Sequence, residues 1–492
     1  MNILFVFGTR PEAIKLAPVV KELASRPDFQ CKICVTGQHR ELLAQVLALF
    51  ELVPDWNLEI MRADQDLAYL TGAALSGVGG IFRSFRPDRV IVQGDTTTTF
   101  AAALAAYYHR LPVAHIEAGL RTDNIYAPWP EEVNRRLVSH IADLHFAPTA
   151  RARDNLLREG IGDERIVVTG NTGIDALLWV SDQLDRRAGL PSRAEAIIGQ
   201  RWDGKRLILI TGHRRESFDG GLARICGAVA RIALRPDVAV VFPVHPNPNV
   251  RRAIEPLRRC DNVLLVEPVD YPELVLLLKR CHFVVTDSGG IQEEAPSFGK
   301  PVLVTRGTTE RPEAMELGLA KLVGTDGEKL FEAMQLLLDD PQAYERMSSV
   351  QNPYGDGLAS RRIAARLVAD KVGTVPSVPP FVASHPPSVS WPRARGSYPN
   401  MAEANEATAV QSAAHSPSDN TRMTPSAARL VSRKAPPFGS TGRGSPRSAK
   451  MSGPNEVFVR IDNRRSSAPI LQPVLRTKLA PHEVSPRLRR RL

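Results

Sequence analysis

Long hydrophobic runs and cysteines are scarce in this 492-residue sequence, and a glycine-rich dinucleotide fingerprint is missing after its first strand. No apolar stretch approaches the ~18 residues that a membrane-spanning helix needs, so no span is expected. The first apolar stretch, in MNILFVFGTRPE, has no basic residues before it and meets Arg10 and Glu12 just after. It does not read as a secretory signal, and the expected location is the cytoplasm. The five cysteines, Cys31, Cys34, Cys226, Cys260 and Cys281, are odd in number and scattered. That argues against a disulfide framework and fits a reducing compartment. Cys31 and Cys34 form a CxxC within FQCKICVTG, which reads as a strand; side chains three apart then face opposite ways and chelate poorly. The absence of GxGxxG means that nothing calls for a nicotinamide cofactor.

Charge is distributed just as unevenly. The net charge of +10 would suggest a nucleic-acid partner if it were spread over the whole molecule. Residues 374–492, however, hold 18 of the 63 Lys+Arg and only 6 of the 53 Asp+Glu, leaving residues 1–373 with a net charge of −2. The same segment carries 17 of the 39 prolines, many serines and few apolar runs, a composition that cannot offset its ordering entropy by burial. Residues 374–492 are therefore expected to be a disordered Pro/Ser/Arg-rich tail, with the terminal PRLRRRL read as solvated rather than nucleic-acid-binding. Removing residues 376–492 is predicted to leave activity intact.

What the sequence does contain is organised around AHIEAGLRTDNIYAPWPEEVNRR, residues 114–136. An apolar strand runs into Glu117, and after a loop holding Trp129 between two prolines Glu131 opens a helix-like run. In an α/β sheet, ligands sit beyond the carboxyl ends of the strands, where these acids fall. NILFVF is a continuous apolar run of the kind found in a strand buried on both faces. GTRPEAIKLAPVVKEL follows it with Thr9 and Glu12 at capping-box spacing, Pro11 in the first turn, Arg10 at the helix start and Lys15 a turn further in. That end can hold an anion. RPDRVIVQGDTTTTF repeats strand then helix and puts Asp95 at a strand end, where an N-cap role is the plain alternative.

The alternation continues to about residue 170 and restarts after a polar stretch near residues 184–205. RLILITGHRRE places His213 and Arg214 at a strand end. HFVVTDSGGIQEEAPSFGKPVLV places Ser288, Gly289 and Gly290 at the start of a helix bearing Glu293 and Glu294. The two glycines permit close backbone approach to a diphosphate. The loop TRGTTERPEAMELG adds Arg306, Glu310 and Arg311. Repeated strand and helix imply two doubly wound, Rossmann-like parallel-sheet units. The expected domains are residues 1–170 and 171–357, with a helix at about 358–372 returning to the first.

Taken together, GTRPEAIK, QGDTTTT, HIEAGLRT, PWPEEVNR, TGHRRES, DSGGIQEEAP and TTERPE closely resemble the non-hydrolysing UDP-N-acetylglucosamine 2-epimerases of bacteria, collinearly from residue 1 to about 372. The resemblance implies a GT-B-like fold with a cleft between its domains, a homodimer, and interconversion of UDP-GlcNAc and UDP-ManNAc without metal or other cofactor, supplying ManNAc units for surface polysaccharides. It also implies catalytic roles for Asp95, Glu117, Glu131 and His213, and contacts to the UDP-sugar from Arg10, Lys15, Arg135, Arg214, Tyr271, Ser288, Gly289, Gly290, Glu294 and Arg311.

Such chemistry needs those residue types. The C2 proton is not next to a carbonyl, so its direct removal faces a very large barrier. Elimination of UDP from C1 as a base takes that proton gives a glycal; re-addition of UDP with a proton delivered from the other face inverts C2. The route needs acid/base groups near C2 and a clamp for the departing diphosphate. Which carboxylate removes the proton and which returns it stays open, although crowded like charges are expected to raise one pKa in the trio. A hydrolysing epimerase releasing ManNAc and UDP, or a GT-B glycosyltransferase, would share much of this motif set.

Overall fold

The computed structural model describes residues 1–383 except 39, 63, 187–198, 200–203, 213–219 and 375–377. Two parallel sheets carry the architecture. The first contains β1 (Asn2–Phe7), β2 (Gln30–Val35), β3 (Trp56–Asn57), β4 (Arg89–Gln93), β5 (Val113–Ile116), β6 (Leu144–Ala147) and β7 (Ile166–Val168), in the order β3-β2-β1-β4-β5-β6-β7. The second contains β8 (Arg206–Thr211), β9 (Val238–Pro243), β10 (Val263–Val266), β11 (Phe283–Thr286), β12 (Val302–Val304) and β13 (Ala320–Leu322), in the order β10-β9-β8-β11-β12-β13. Both are doubly wound, as the alternating pattern predicts. Their strand order reverses between β1 and β4 and again between β8 and β11, the two places where a crevice opens at the strand ends.

The continuous apolar runs have a simple cause. Along β1, Ile3, Phe5 and Phe7 join one core cluster while Leu4 and Val6 join another, so both faces of the sheet are covered by helices. On β2 the same alternation sends Cys31 towards one cluster and Cys34 into the other, and neither is bonded to another cysteine.

The predicted capping box at the start of helix Arg10–Ala24 is present, with Glu12 accepting from the backbone N–H of Thr9 at 2.7 Å and of Gly8 at 3.0 Å. Its other oxygen accepts from the hydroxyls of Thr96 (2.7 Å) and Thr99 (2.9 Å) beyond β4. Glu12 therefore ties the ends of β1 and β4 together across the switch point. Helix Thr172–Arg186 packs against the first-sheet helix Arg10–Ala24 and also against Tyr271–Arg280 and Gly289–Glu294 of the second sheet. Helix Ala359–Val372 returns onto Arg10–Ala24 and Thr172–Arg186, its first N–H groups donating to the Asp175 carboxylate at 3.2 Å from Ala359 and 2.7 Å from Ser360.

One expectation shifts at the tail. Val378–Ala383 is not free: the Phe381 N–H donates to the Val168 carbonyl on edge strand β7 at 2.9 Å, and the Pro379 carbonyl accepts from Arg362 at 2.9 Å. The Phe381 ring is 5% exposed, with Arg362 5.5 Å from its centre. Burying a phenylalanine stabilises by roughly 1.5–3 kcal/mol, so the deletion boundary belongs after 383 rather than before 376. A chain ending at residue 383 is expected to melt with the full-length protein, and one ending at 377 a few degrees lower; calorimetry of the two truncations checks this. Residues 384–492, and with them VFVRID and PRLRRRL, lie outside the described residues.

Candidate functional site

A cleft of about 280 Å³ opens at the carboxyl ends of β1, β4 and β5. Its lining includes Lys15, Asp95, Glu117, Glu131 and Arg135 from the first sheet's half, and Arg306, Glu310 and Arg311 from the second. All three predicted carboxylates thus meet in one cavity together with three of the predicted cations, Lys15, Arg135 and Arg311. Of the Glu131–Glu132 pair opening helix Glu131–Ile141, Glu131 lines the cleft. Glu132 is fully buried, accepting from Arg136 Nε at 3.0 Å and the Thr122 N–H at 3.1 Å.

Every one of these groups is held by a neighbour. Arg135 pairs with the Asp95 carboxylate, whose backbone carbonyl accepts from Asn134 Nδ2 at 2.9 Å. Behind Asp95, the carbonyl of Gly94 lies 2.7 Å from His115 Nε2; burial pushes this imidazole down to about 4, so it is neutral and structural. Lys15 pairs with Glu117, and Asn171 Nδ2 donates to the same Glu117 oxygen at 3.0 Å. Asn171 Nδ2 also reaches Glu293 Oε2 at 2.8 Å, and Glu293 Oε1 accepts from Arg311 Nε at 2.7 Å. Arg311 shares Glu310 with Arg306, whose Nη1 is 2.7 Å from Glu310 Oε2. Glu117 itself stands at φ 64, a left-handed backbone that a non-glycine residue adopts at a cost of about 1–3 kcal/mol. Such strain at a strand end turns its carboxylate into the cavity rather than along the sheet.

The charges follow from this pairing. Burial pushes the Glu117 carboxyl up, but Lys15, Arg311 and the Asn171 amide outweigh it and hold the group below the usual carboxylate range. Burial wins at Glu293, which is raised despite Arg311 and Lys15. It wins also at Glu294, pushed up to about 7 against the hydrogen bond from Tyr271. Two cations and Asn171 thus leave Glu117 low, while burial raises the neighbouring carboxyls of Glu293 and Glu294.

Other predicted positions form a second group beside the first. Tyr271, buried at the start of helix Tyr271–Arg280, donates its hydroxyl to Glu294 Oε1 at 3.1 Å, and Asp270, Tyr271 and Glu294 act electrostatically on Arg10. Burial lowers the Arg10 guanidinium, so those neighbours do not fully replace its lost hydration. Ser288 stands at the N-cap position of the six-residue helix Gly289–Glu294, its side chain making no capping hydrogen bond. At Gly289 a Cβ would lie 2.8 Å from Arg311 Cζ, so the position makes room for a guanidinium laid against the backbone. Gly290 has only the Ser288 hydroxyl nearby, at 3.9 Å from such a Cβ. His213 and Arg214 lie outside the described residues.

Sequence reasoning missed Asn171, and it read Glu12 only as a cap. The turn Gly170–Asn171 after β7 was the available signal: Gly170 has φ 84, and the Asn171 N–H is taken by the Tyr354 carbonyl at 2.6 Å. The same Tyr354 places its hydroxyl 3.1 Å from the Arg311 carbonyl, and Asn352 Nδ2 donates to the Glu293 carbonyl at 2.7 Å. NPYGDG therefore braces the backbone behind Asn171, Glu293 and Arg311 together.

A sequence model for the family described as UDP-N-acetylglucosamine 2-epimerase matches residues 21–368. A probable UDP-N-acetylglucosamine 2-epimerase of Ralstonia nicotianae is 55% identical over 370 residues, 75% of this chain and 99% of that protein. The UDP-N-acetylglucosamine 2-epimerase of Escherichia coli K12 is 52% identical over 374 residues, 76% of this chain and 100% of that one. Among solved structures, the UDP-GlcNAc 2-epimerase of Neisseria meningitidis bound to UDP-GlcNAc matches with a TM-score of 0.71 at 48% identity, covering 75% of this chain and 100% of that one.

Proposed function

The chain belongs to the UDP-N-acetylglucosamine 2-epimerase family, and on that premise we propose that it interconverts UDP-GlcNAc and UDP-ManNAc without hydrolysing either. The observation that carries this reading is the meeting of Asp95, Glu117 and Glu131 in one cleft with Lys15, Arg135, Arg306 and Arg311. One carboxylate removes the C2 proton, the electron pair of the C2–H bond forms the C1–C2 double bond of the glycal, and the C1–O bond breaks with its pair leaving on UDP. UDP then returns to C1 as a second acid delivers a proton to the opposite face of C2. His213 and Arg214 belong to the same proposal, as do the UDP contacts expected from Arg10, Tyr271, Ser288, Glu294 and Arg311.

The ion pairing at the cleft gives binding a chemical consequence. Lys15 is paired with Glu117, and Arg311 with Glu293 and Glu310. A diphosphate competing for those cations weakens their hold on Glu117 and raises its proton affinity. Glu117 becomes a stronger base once the nucleotide is in place.

Among the described residues no helix is long and apolar enough to cross a membrane. We assign the enzyme to the cytoplasm, supplying ManNAc units for surface polysaccharide. Tyr107, Tyr108, Val133 and Leu137 are exposed apolar side chains on the adjacent helices Thr97–Tyr108 and Glu131–Ile141. They support a homodimer, the assembly that the resemblance implies.

Incubation with UDP-GlcNAc in heavy water tests the reading. The expected products are UDP-ManNAc and recovered UDP-GlcNAc, both deuterated at C2. Free ManNAc and UDP would assign the hydrolysing reaction instead, and no exchange in the absence of an acceptor would favour a transferase.

A further inference from the structure

The Asn171 side chain is a neutral group that touches a carboxylate from each sheet's half of the structure. It is 2% exposed, and its Nδ2 donates to Glu117 Oε2 at 3.0 Å and to Glu293 Oε2 at 2.8 Å. An amide NH₂ has two hydrogens, so both bonds can be made at once. Its orientation is not arbitrary, because Oδ1 accepts from the Gly173 N–H at 2.9 Å. A flipped amide would face that N–H with its own donors and present a carbonyl oxygen to two carboxylates. The backbone is fixed as well, through the Tyr354 carbonyl and through the turn at Gly170, where a Cβ would lie 3.3 Å from the Gly355 Cα.

We propose that Asn171 is a positioning residue for the epimerisation: it ties Glu117 to Glu293 and, by donating to the ionised form of Glu117, sets where that carboxylate stands and the pH at which it is ready to accept a proton. The proposal rests on the assignment of Glu117 to proton transfer. The charged groups that act on Glu117 are Lys15 from helix Arg10–Ala24 and Arg311 from the loop before Pro312, with Glu293 opposing them through its own charge. His115, behind it on β5, is neutral. Lys15 supplies most of the charge but has a flexible stem. Asn171 is anchored on three sides and supplies the direction.

The two carboxylates are also coupled through it. When Glu293 takes a proton, its hydrogen bond from the amide is no longer charge-assisted and the charge opposing ionisation of Glu117 disappears. Glu117 then holds its own proton less tightly. A hydrogen bond to the charged form lowers a carboxyl pKa, so its removal must raise that of Glu117. Activity requires Glu117 ionised on its acid side, and the acid limb of the rate profile moves to higher pH when Asn171 is lost.

The test measures the pH dependence of kcat and of C2 deuterium exchange in the full-length protein and in Asn171→Ala and Asn171→Asp, together with calorimetric binding of UDP. For Asn171→Ala, kcat at pH 7 is expected to fall on the order of tenfold or more and the acid limb to rise by about one pH unit, while UDP affinity stays within about threefold. Asn171→Asp keeps the shape but adds a third carboxylate, and its acid limb should rise further. Wild-type exchange with an unmoved acid limb in both variants would overturn the proposal alone. Parallel loss of UDP binding and turnover in both, again with no limb shift, would reduce Asn171 to a structural role. No exchange in the wild type would remove the epimerase reading and this proposal with it.

Discussion

Replacing Glu117 by glutamine is expected to lower kcat by roughly 100- to 10,000-fold, the range over which a positioned acid or base contributes to a proton transfer. The substitution keeps size and a carbonyl oxygen for Asn171 to bond, so the geometry around φ 64 changes little. It removes the proton acceptor and leaves Lys15 without its anion. Burial lowers the Lys15 ammonium and the Glu117 charge is the first influence opposing it; the pair as it stands leaves Lys15 raised. Without Glu117 the burial effect prevails and the lysine loses its proton more readily as pH rises. UDP affinity in Glu117→Gln should therefore hold at neutral pH and weaken towards pH 9, where wild type still carries the cation. Turnover and UDP titrations at both pH values check the two statements separately. C2 exchange at the wild-type rate in this variant would remove Glu117 from the proton-transfer set.

The strands and the three carboxylates were legible because their signals are local. NILFVF and RVIVQ are apolar on both faces because helices cover both faces, and a polar residue directly after such a run falls at a strand end. The capping box of Thr9 and Glu12 is likewise a relation over three residues. Short strands are harder: Ala320–Leu322 contributes only three residues, with Lys321 and Leu322 exposed. Pairings across the chain left no mark that a single sequence can show. Asn171 meets Glu293 over a separation of 122 residues, and the second oxygen of Glu12 meets Thr99 over 87. Composition also misled at Val378–Ala383. A proline-rich segment offers few N–H donors, yet the one supplied by Phe381 is enough to dock it on the exposed edge of β7. For Gly289, the sequence signalled a close approach, and the Arg311 guanidinium, 2.8 Å from where a Cβ would stand, is one group that makes it.

Arg311 is where that close approach has its largest energetic consequence. Arg311→Ala is expected to cost about 3–5 kcal/mol of folding stability at neutral pH, because removing one member of a buried ion pair strands the other charge. Here two are stranded in part: Glu293 loses the donor at 2.7 Å, and Glu310 keeps only Arg306, also at 2.7 Å. The pH dependence separates this cause from a simple cavity. Glu293 is already above the usual carboxylate range through burial, and losing Arg311 raises it further. A carboxyl that binds its proton more tightly folded than unfolded loses stability as pH climbs past the unfolded value of ~4.3, so this contribution grows towards neutrality. Glu310 works in the opposite sense. Burial pushes it up, but Arg311 and Arg306 hold it at about 2, so it contributes stability that is present above the unfolded pKa and lost as pH falls towards 2. Arg311→Ala shrinks that contribution. Both changes make the deficit relative to wild type widest at pH 7 and narrower at pH 4, where protonation neutralises the stranded charges. Urea denaturation at the two pH values measures it, and adding Glu293→Gln to Arg311→Ala should recover part of the loss at pH 7 only. An equal deficit at both pH values would point to lost packing around Gly289 instead of uncompensated charge.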